Sequence, residues 1–125
     1  MLEEIVVALD REEGALARIG ELLGHAGVNI ETLSATTLEG RAIVHLVVDD
    51  GDDAAEALKA NGFHVAAARP VLAVTLDDRP GELGRYCRRL ADAGVTISAA
   101  YVARRGAGDT ELIFAVDDIE GARRA

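Results

Sequence analysis

The chain is poor in several residue types, and each scarcity excludes a class of protein. A single cysteine, Cys87, rules out an intrachain disulfide and fits a reducing compartment. Tryptophan is absent and aromatic residues make up 3% of the 125 residues, so we expect a core of Val, Leu, Ile and Ala. Lysine and arginine number 13 against 22 Asp and Glu, which gives a net charge of −9. Because phosphate binding depends on basic side chains, this balance argues against a nucleic-acid partner.

Long apolar runs are also missing. No stretch approaches the roughly 20 apolar residues that span a membrane. The first residues, Met1-Leu2-Glu3-Glu4, are acidic and lead directly into a predicted strand, which is unlike a signal peptide. We therefore expect an acidic, soluble protein of the cytoplasm that has no membrane partner.

What the chain does contain is an internal repeat with a spacing of 67 residues. The recurring motifs are V-x-L-D, G-x-L and A-G-V-x-I. They begin at Val7, Gly14 and Ala26, and again at Val74, Gly81 and Ala93. Such repetition indicates two copies of one small fold, which we place at 1–68 and 69–125. Because a domain of ~60 residues buries only about 60% of its unfolded surface, we expect the copies to share an interface.

Each copy shows the same order of predicted elements. In the first copy, β-branched runs alternate with apolar residues at helical spacing, and Gly27 suits the left-handed position after the helix. Asp53-x-x-Glu56 resembles a capping box for a second helix. The predicted elements are strand 5–9, a helix closing at Gly27, strands 28–37 and 41–49, a helix through Lys59 and strand 63–67. The second copy repeats this order but stops at Ala125, before its fourth strand.

This order predicts a ferredoxin-like βαββαβ fold, because crossovers in such sheets are right-handed. We therefore predict an α+β protein of two tandem repeats, forming a side-by-side antiparallel sheet with its helices on one face. The third strand is apolar on both faces, with Ile43 and Val47 on one and Val44 and Leu46 on the other. An antiparallel sheet with one solvated face should alternate instead. We therefore expect a homodimer, formed through sheet faces or edges.

The repeated motifs resemble the ACT domain. That family's signature is roughly D-x-P-G-x-L, then a helix, then A-G-(I/V)-N-I. The second copy matches it from Asp77 to Leu83 and from Ala93 to Ile97. The first copy departs at Glu13, which replaces the proline, and the second at Thr96, which replaces the asparagine. The whole chain is most similar to small stand-alone proteins of two tandem ACT domains.

The resemblance implies a ferredoxin-like fold that binds an amino acid or similar small effector at an interface between paired domains. The physical basis is a helix that begins at Pro80, which suits the first helical position. The backbone N–H groups of Gly81 and Leu83 then lie in the first turn, lack intrahelical partners and favour a carboxylate. The family also places contacts two residues before the Pro-Gly pair and at the Asn position. By these rules Arg11 would face a ligand carboxylate and Asp78 an ammonium group.

The candidate ligand-binding residues lie in the loop before the first helix of each copy and at the start of its second strand. They are Asp10, Arg11, Glu13, Gly14, Ala15, Leu16, Asn29 and Ile30 in the first copy, and Asp77, Asp78, Pro80, Gly81, Glu82, Leu83, Thr96 and Ile97 in the second. Purely structural roles stay open for several of them. Gly14 and Gly81 could serve helix–sheet packing alone, and Asp10 and Asp77 could be hydrogen-bond acceptors at a helix start.

Metal and cofactor sites are not expected. No two histidines stand at metal-ligand spacing, and Cys87 is interpreted as a buried structural thiol. The acidic run 49–53 lacks the glutamate that closes an EF-hand loop and is better explained by helix capping. His45 aligns with Ile113 of the second copy, which favours packing over catalysis.

The predicted function is that of a non-enzymatic regulatory or sensor protein that binds a free amino acid or similar small effector at the interface between the two repeats. Catalysis requires a nucleophile with a base, or a tuned acid–base pair, and no such combination stands out in the sequence. The alternative is a protein–protein interaction module, or the regulatory subunit of an enzyme of amino-acid metabolism with no ligand of its own. In that case a partner enzyme would bind the sheet edge beside the missing fourth strand.

Overall fold

A computed structural model describes residues 1–10 and 13–125, which form two compact units, Met1–Pro70 and Val71–Ala125. The first unit contains β1 (Glu3–Asp10), α1 (Ala15–His25), β2 (Ile30–Leu38), β3 (Arg41–Val48), α2 (Gly51–Ala60) and β4 (His64–Pro70). The second contains β5 (Leu72–Asp77), α3 (Glu82–Asp92), β6 (Ile97–Arg105), β7 (Asp109–Val116) and α4 (Ile119–Arg124). The order of elements predicted for each copy is thus confirmed.

The first unit is a four-stranded antiparallel sheet in the order β2-β3-β1-β4, which is the ferredoxin-like order. Alternate residues of β1 and β3 pack against α1 and α2, so both helices lie on one face of the sheet. The core residues are Ile5, Val7, Ile19, Leu23, Val28, Val44, Leu46, Val48, Ala54, Leu58 and Phe63. At roughly 1.5–3 kcal/mol for each large apolar side chain removed from water, this cluster dominates the stability of the unit.

The end of the first unit corrects one prediction. The fourth strand was expected at 63–67, with Arg69-Pro70 as a linker, but β4 continues through Pro70, which pairs with Glu3. Because β4 is an edge strand in this sheet, the missing N–H of a proline is tolerated there. The division between the units therefore falls two residues beyond the predicted position.

The second unit repeats the first three strands in the order β5-β7-β6. Its core combines α3 and α4 with β7, and Tyr86 lies 5.2 Å from Phe114 between ring centroids. The expectation of an aliphatic core was incomplete. All four aromatic side chains of the chain are buried, and they are Phe63, Tyr86, Tyr101 and Phe114.

The motif A-G-V closes the first helix of each unit in the same way. Gly27 has a φ of 74° and donates its N–H to Gly24 O at 3.1 Å, while Val28 N–H reaches Leu23 O at 2.9 Å. These two bonds form a Schellman motif, in which a left-handed residue ends the helix. Gly94 and Val95 repeat it after α3. The prediction for Gly27 is confirmed.

The second helix of each unit begins at an aspartate. Asp50 is extended, with φ −135°, and its carboxylate accepts the N–H of Asp53 at 3.0 Å. Asp118 accepts the N–H of Gly121 at 2.8 Å before α4. The predicted capping box at Asp53 was therefore wrong, because Asp53 is the donor and Asp50 the cap. The nearby charge of Asp50 raises the pKa of Asp53 above its usual value.

A buried ion cluster lies on the face of the first sheet opposite its helices. Glu4 is fully buried, and its Oε1 accepts a hydrogen bond from Arg69 Nε at 2.8 Å and lies 2.7 Å from Arg69 Nη2. Its other oxygen lies 3.1 Å from Nδ1 of His45. The cluster joins β1, β3 and β4, so this face combines apolar side chains with paired charges. A buried carboxylate held by such partners is costly to disrupt.

Candidate ligand-binding site

The loop between β5 and α3 is held by its own backbone. Gly81 lies immediately before α3 with a φ of 89°, a conformation that side chains with a Cβ rarely adopt. Asp78 donates its N–H to Gly108 O at 3.0 Å, which fixes the loop to the β6–β7 hairpin. Pro80 was expected at the first helical position. Pro80 instead lies outside the helix, because Gly81 has a positive φ and α3 begins only at Glu82.

Charged side chains link the two ends of this loop. Arg79 Nη2 donates to Asp77 Oδ2 at 2.9 Å and to Glu82 Oε1 at 3.2 Å. Arg85 Nη2 donates to the same oxygen of Glu82 at 2.6 Å. The Arg85 hydrogen bond is the main cause of a lowered pKa of Glu82, opposed by partial burial. Asp77 and Glu82 are thus joined across the loop through Arg79, whereas Gly81 at the start of α3 has no side-chain cap hydrogen bond among the described residues.

A cavity of about 210 Å³ opens beside this loop, and we call it the β5–α3 cleft. It lies on the helix side of the sheet, and its apolar part includes the half-exposed Leu83 and Val102. The lining residues are Leu76, Asp77, Asp78, Arg79, Glu82, Leu83, Val102, Arg105, Thr110 and Leu112. The cleft therefore has apolar walls and a rim that carries both signs of charge.

One pair of opposite charges at the rim is loosely held. Asp78 Oδ1 lies 3.7 Å from Arg105 Nη2, and the two side chains are 44% and 69% exposed. Exposed pairs of this kind contribute about 0–1 kcal/mol, so either partner can accept another counter-charge at little cost. Asp78 and Arg105 are the groups at this rim best suited to an added ligand.

The predicted residues at the start of the second strand lie elsewhere. Thr96 donates its N–H to Asp117 Oδ1 at 2.9 Å, and Asn29 donates to Asp49 Oδ1 at 3.0 Å. In turn, the backbone N–H of Asp117 donates to Thr96 O, and that of Asp49 donates to Asn29 O. Thr96 and Ile97 are not among the residues that line the cleft. Their contacts join two strand ends within each unit.

The first unit places its predicted residues around α1. Asp10, at the end of β1, lies 3.5 Å from Arg41 Nε, and its side chain is 91% exposed. Gly14 precedes α1 with a φ of 76°, Ala15 is buried, and Leu16 is exposed. Glu13 is exposed, whereas Asn29 and Ile30 lie at the start of β2. Arg11, predicted to face a carboxylate, lies outside the described residues.

Sequence reasoning missed the part of the cleft that comes from the β6–β7 hairpin. Thr110 pairs with both Leu76 and Arg105, which brings the hairpin beside the loop. Thr110, Leu112 and Phe114 share one face of β7 by strand alternation. A polar residue within an otherwise apolar face was the signal that could have identified Thr110.

Other kinds of site are not found in the part of the chain that the structure describes. No group of three or more His, Cys, Asp or Glu side chains there could hold a metal ion. No helix among those residues is long and apolar enough to cross a membrane. Cys87 is half-buried and packs against the core of the second unit.

The βαββ order, the glycine before each first helix and the strand order of both units define a pair of ACT-type folds. The chain belongs to the family described as ACT domain pair, whose match covers residues 1–125. The resemblance inferred from the repeated motifs is thereby confirmed.

Solved structures share this fold at low sequence identity. Protein BT0572 from Bacteroides thetaiotaomicron gives a TM-score of 0.83 at 22% identity, covering 98% of this chain and 83% of that one. The ligand-free regulatory subunit of aspartate kinase from Thermus thermophilus gives 0.74 at 18%, covering 98% and 88%. These likenesses establish the fold. No curated protein matches the chain at a significant level.

Proposed function

We propose that this chain is a non-enzymatic regulatory protein that binds a free amino acid in the β5–α3 cleft. The observation that carries the proposal is the exposed ion pair of Asp78 and Arg105 at the rim of the cleft, next to its apolar walls. A free amino acid brings an ammonium group, a carboxylate and a side chain, and the cleft offers a complement to each. Membership of the ACT domain pair family supports a regulatory role.

The charges at the rim suit the two ends of an amino acid. The ammonium group would pair with Asp78, and the carboxylate with Arg105 and the N–H groups at the start of α3. A helix N-terminus favours an anion by about 0.3–1 kcal/mol at an exposed site. Displacing the exposed pair costs little, so most of its electrostatic interaction is available to the ligand.

The neighbours in structure bear on the output of such binding. One is the regulatory subunit of aspartate kinase from Thermus thermophilus, and another is a structure of aspartokinase alpha and beta subunits, with a TM-score of 0.68 at 15% identity. By analogy, we propose that ligand binding here adjusts a partner enzyme. An effector does so when it binds two states of the protein with different affinity.

The second candidate is an interaction module without a ligand. It is supported by β5, which pairs with β7 alone among the described strands, whereas its counterpart β1 pairs on both sides. An unpaired strand edge can accept a strand from another protein. The homodimer expected from the sequence also stays a proposal, and the mass in solution by light scattering tests it.

A thermal-shift screen of the twenty amino acids at millimolar concentration tests the proposed function. A ligand at one hundred times its dissociation constant stabilises the folded state by about 2.7 kcal/mol, which raises the melting temperature by several degrees. Asp78→Asn should weaken the response, whereas Asp92→Asn, an exposed change at the far end of α3, should not. Twenty flat traces would reject amino-acid binding and leave the interaction module.

A further inference from the structure

We propose that Thr110 makes the β5–α3 cleft selective for an amino acid whose side chain carries a hydroxyl or amide group. The inference rests on the proposed binding of an amino acid at this cleft. It goes further by naming the class of ligand and the residue that selects it.

The observation behind it is a buried hydroxyl group without a partner. Thr110 is 6% exposed and lines the cleft, and its Oγ1 makes no hydrogen bond with any described residue. Most buried polar side-chain atoms in proteins have a partner, so each exception requires an explanation. Because Thr110 lines the cavity, its hydroxyl is best explained as a group that a ligand completes once the side chain turns toward the cleft.

The position of Thr110 fits a ligand held by its charged end at the rim. Thr110 stands opposite Leu76 in the β5–β7 ladder. Only Asp77 separates Leu76 from Asp78 in the following loop. An amino acid with its ammonium group and carboxylate between Asp78 and Arg105 would direct its side chain toward Thr110. The volume of about 210 Å³ lies below the roughly 300–1,000 Å³ of sites for drug-sized ligands, which favours a small side chain.

The hydroxyl oxygen of Thr110 is covered in this structure, so contact with a ligand requires it to turn. Rotation about the Cα–Cβ bond moves the hydroxyl between staggered positions without moving the strand. A polar ligand side chain would favour the position that faces the cleft. An apolar side chain of the same shape would leave the hydroxyl unpaired, and this difference is the source of selectivity.

The first unit lacks this feature, which supplies an internal control. Leu9 pairs with Ala42 as Leu76 pairs with Thr110, so Ala42 holds the equivalent place on β3. Alanine has no hydrogen-bonding side chain. The proposed selectivity therefore belongs to the second unit, and a change at Ala42 should not affect it.

The experiment measures binding of shape-matched amino acids to the full chain by calorimetry. The pairs are serine with alanine, threonine with valine, asparagine with leucine, and glutamine with methionine. We expect at least one polar member to bind about tenfold more tightly than its apolar match. Thr110→Val keeps the shape of the side chain and should reduce that preference to about twofold or less. Thr110→Ser should keep it, and Ala42→Val should leave it unchanged.

A second readout is the melting temperature without ligand. Replacing an unpaired buried hydroxyl by a methyl group should leave it unchanged or raise it, so weaker binding by Thr110→Val could not be ascribed to unfolding. A preference that survives Thr110→Val would overturn the inference, as would apolar members that bind as tightly as their polar matches. If only amino acids outside the polar set bind, Thr110 is not the selector although the proposed function stands. If no amino acid binds, both are wrong.

Discussion

The loops that lead into α1 and α3 have the same backbone device but different side chains around it. Gly14 and Gly81 both occupy the left-handed region directly before the helix, with φ values of 76° and 89°. Around Gly81, however, Glu82 replaces the buried Ala15 of the first unit, and Thr110 replaces Ala42. The glycines that fix the backbone repeat, and so do Asp10 and Asp77 at the ends of β1 and β5, whereas the charge of Glu82 and the hydroxyl of Thr110 have no counterpart at Ala15 and Ala42. The comparison teaches that the two copies share a fold but need not share a ligand.

The largest expected effect tests whether the cores of the two units contribute equally to the free energy of unfolding. Leu23→Ala and Leu90→Ala each remove a fully buried leucine, which costs about 2–5 kcal/mol of unfolding free energy. Leu90 belongs to the smaller cluster, so we expect the lower end of that range for it. Urea denaturation measures both losses. The control is Leu38→Ala, whose side chain is 73% exposed and whose removal should change the free energy of unfolding by about zero. A loss below about 1 kcal/mol for Leu90→Ala would show that the second core is loosely packed.

The next effect tests whether the glycines after α1 and α3 are equivalent. Gly27→Ala and Gly94→Ala force a Cβ into the left-handed region, which costs about 1–2 kcal/mol. The matched controls are Gly20→Ala and Gly84→Ala within the helices, where a Cβ would meet nothing within 4 Å. These controls should stabilise the protein by about 0.5–1 kcal/mol. Thermal unfolding measures the stability of all four variants. A change of the same sign in the helix-end variants and in the controls would contradict the Schellman assignment.

A smaller effect compares the aspartates that cap α2 and α4. Asp50→Ala and Asp118→Ala each remove an N-cap acceptor, worth about 1 kcal/mol. Asp52→Ala removes a charge of the same sign from the first turn of α2 but no cap, so it serves as the control. In Asp50→Ala, the pKa of Asp53 should also fall toward its usual value, because the main cause of its rise is gone. A carboxyl NMR titration measures this shift, and an unmoved pKa would reject the cause.

The smallest effect concerns pH and distinguishes the loop before α3 from that before α1. The lowered pKa of Glu82 means that its ionised form is favoured by folding, so its contribution is present above the usual value of 4.5. That contribution is lost as the pH falls through the lowered pKa. Glu82→Gln should therefore flatten the stability profile in this acid range, and Arg85→Ala should raise the pKa of Glu82. The first unit has Ala15 at this position, so it adds no matching acid transition.

Much of the fold could be predicted because it depends on local rules. The turn at Gly40 and the helix end at Gly27 follow from glycine, which tolerates positive φ. The cap of α2 was misplaced because Asp50 and Asp53 both satisfy the same preference for acids at a helix start. Only the extended backbone of Asp50 decides between them. Local chemistry thus predicts that a helix begins in this segment more reliably than which residue begins it.

The candidate site was only half predictable. The loop residues Asp77, Asp78, Glu82 and Leu83 were identified from the motif, and all four line the cleft. Arg105 was missed because a bulge between Val102 and Arg104 shifts the alternation of β6. Simple alternation would place Arg104 on the same face as Val102, whereas the bulge places Arg105 there. Such a one-residue shift arises from strand pairing across the sheet, which no local pattern reveals.

The hydrogen bond from the Asp78 amide to Gly108 O has a practical consequence. This amide belongs to a residue proposed to meet the ligand, and its acceptor belongs to the hairpin that supplies the opposite wall. Its proton can exchange with solvent only when loop and hairpin separate, because a hydrogen-bonded amide must open first. The hydrogen-exchange rate of this single amide, measured by NMR, therefore reports how often the cleft opens.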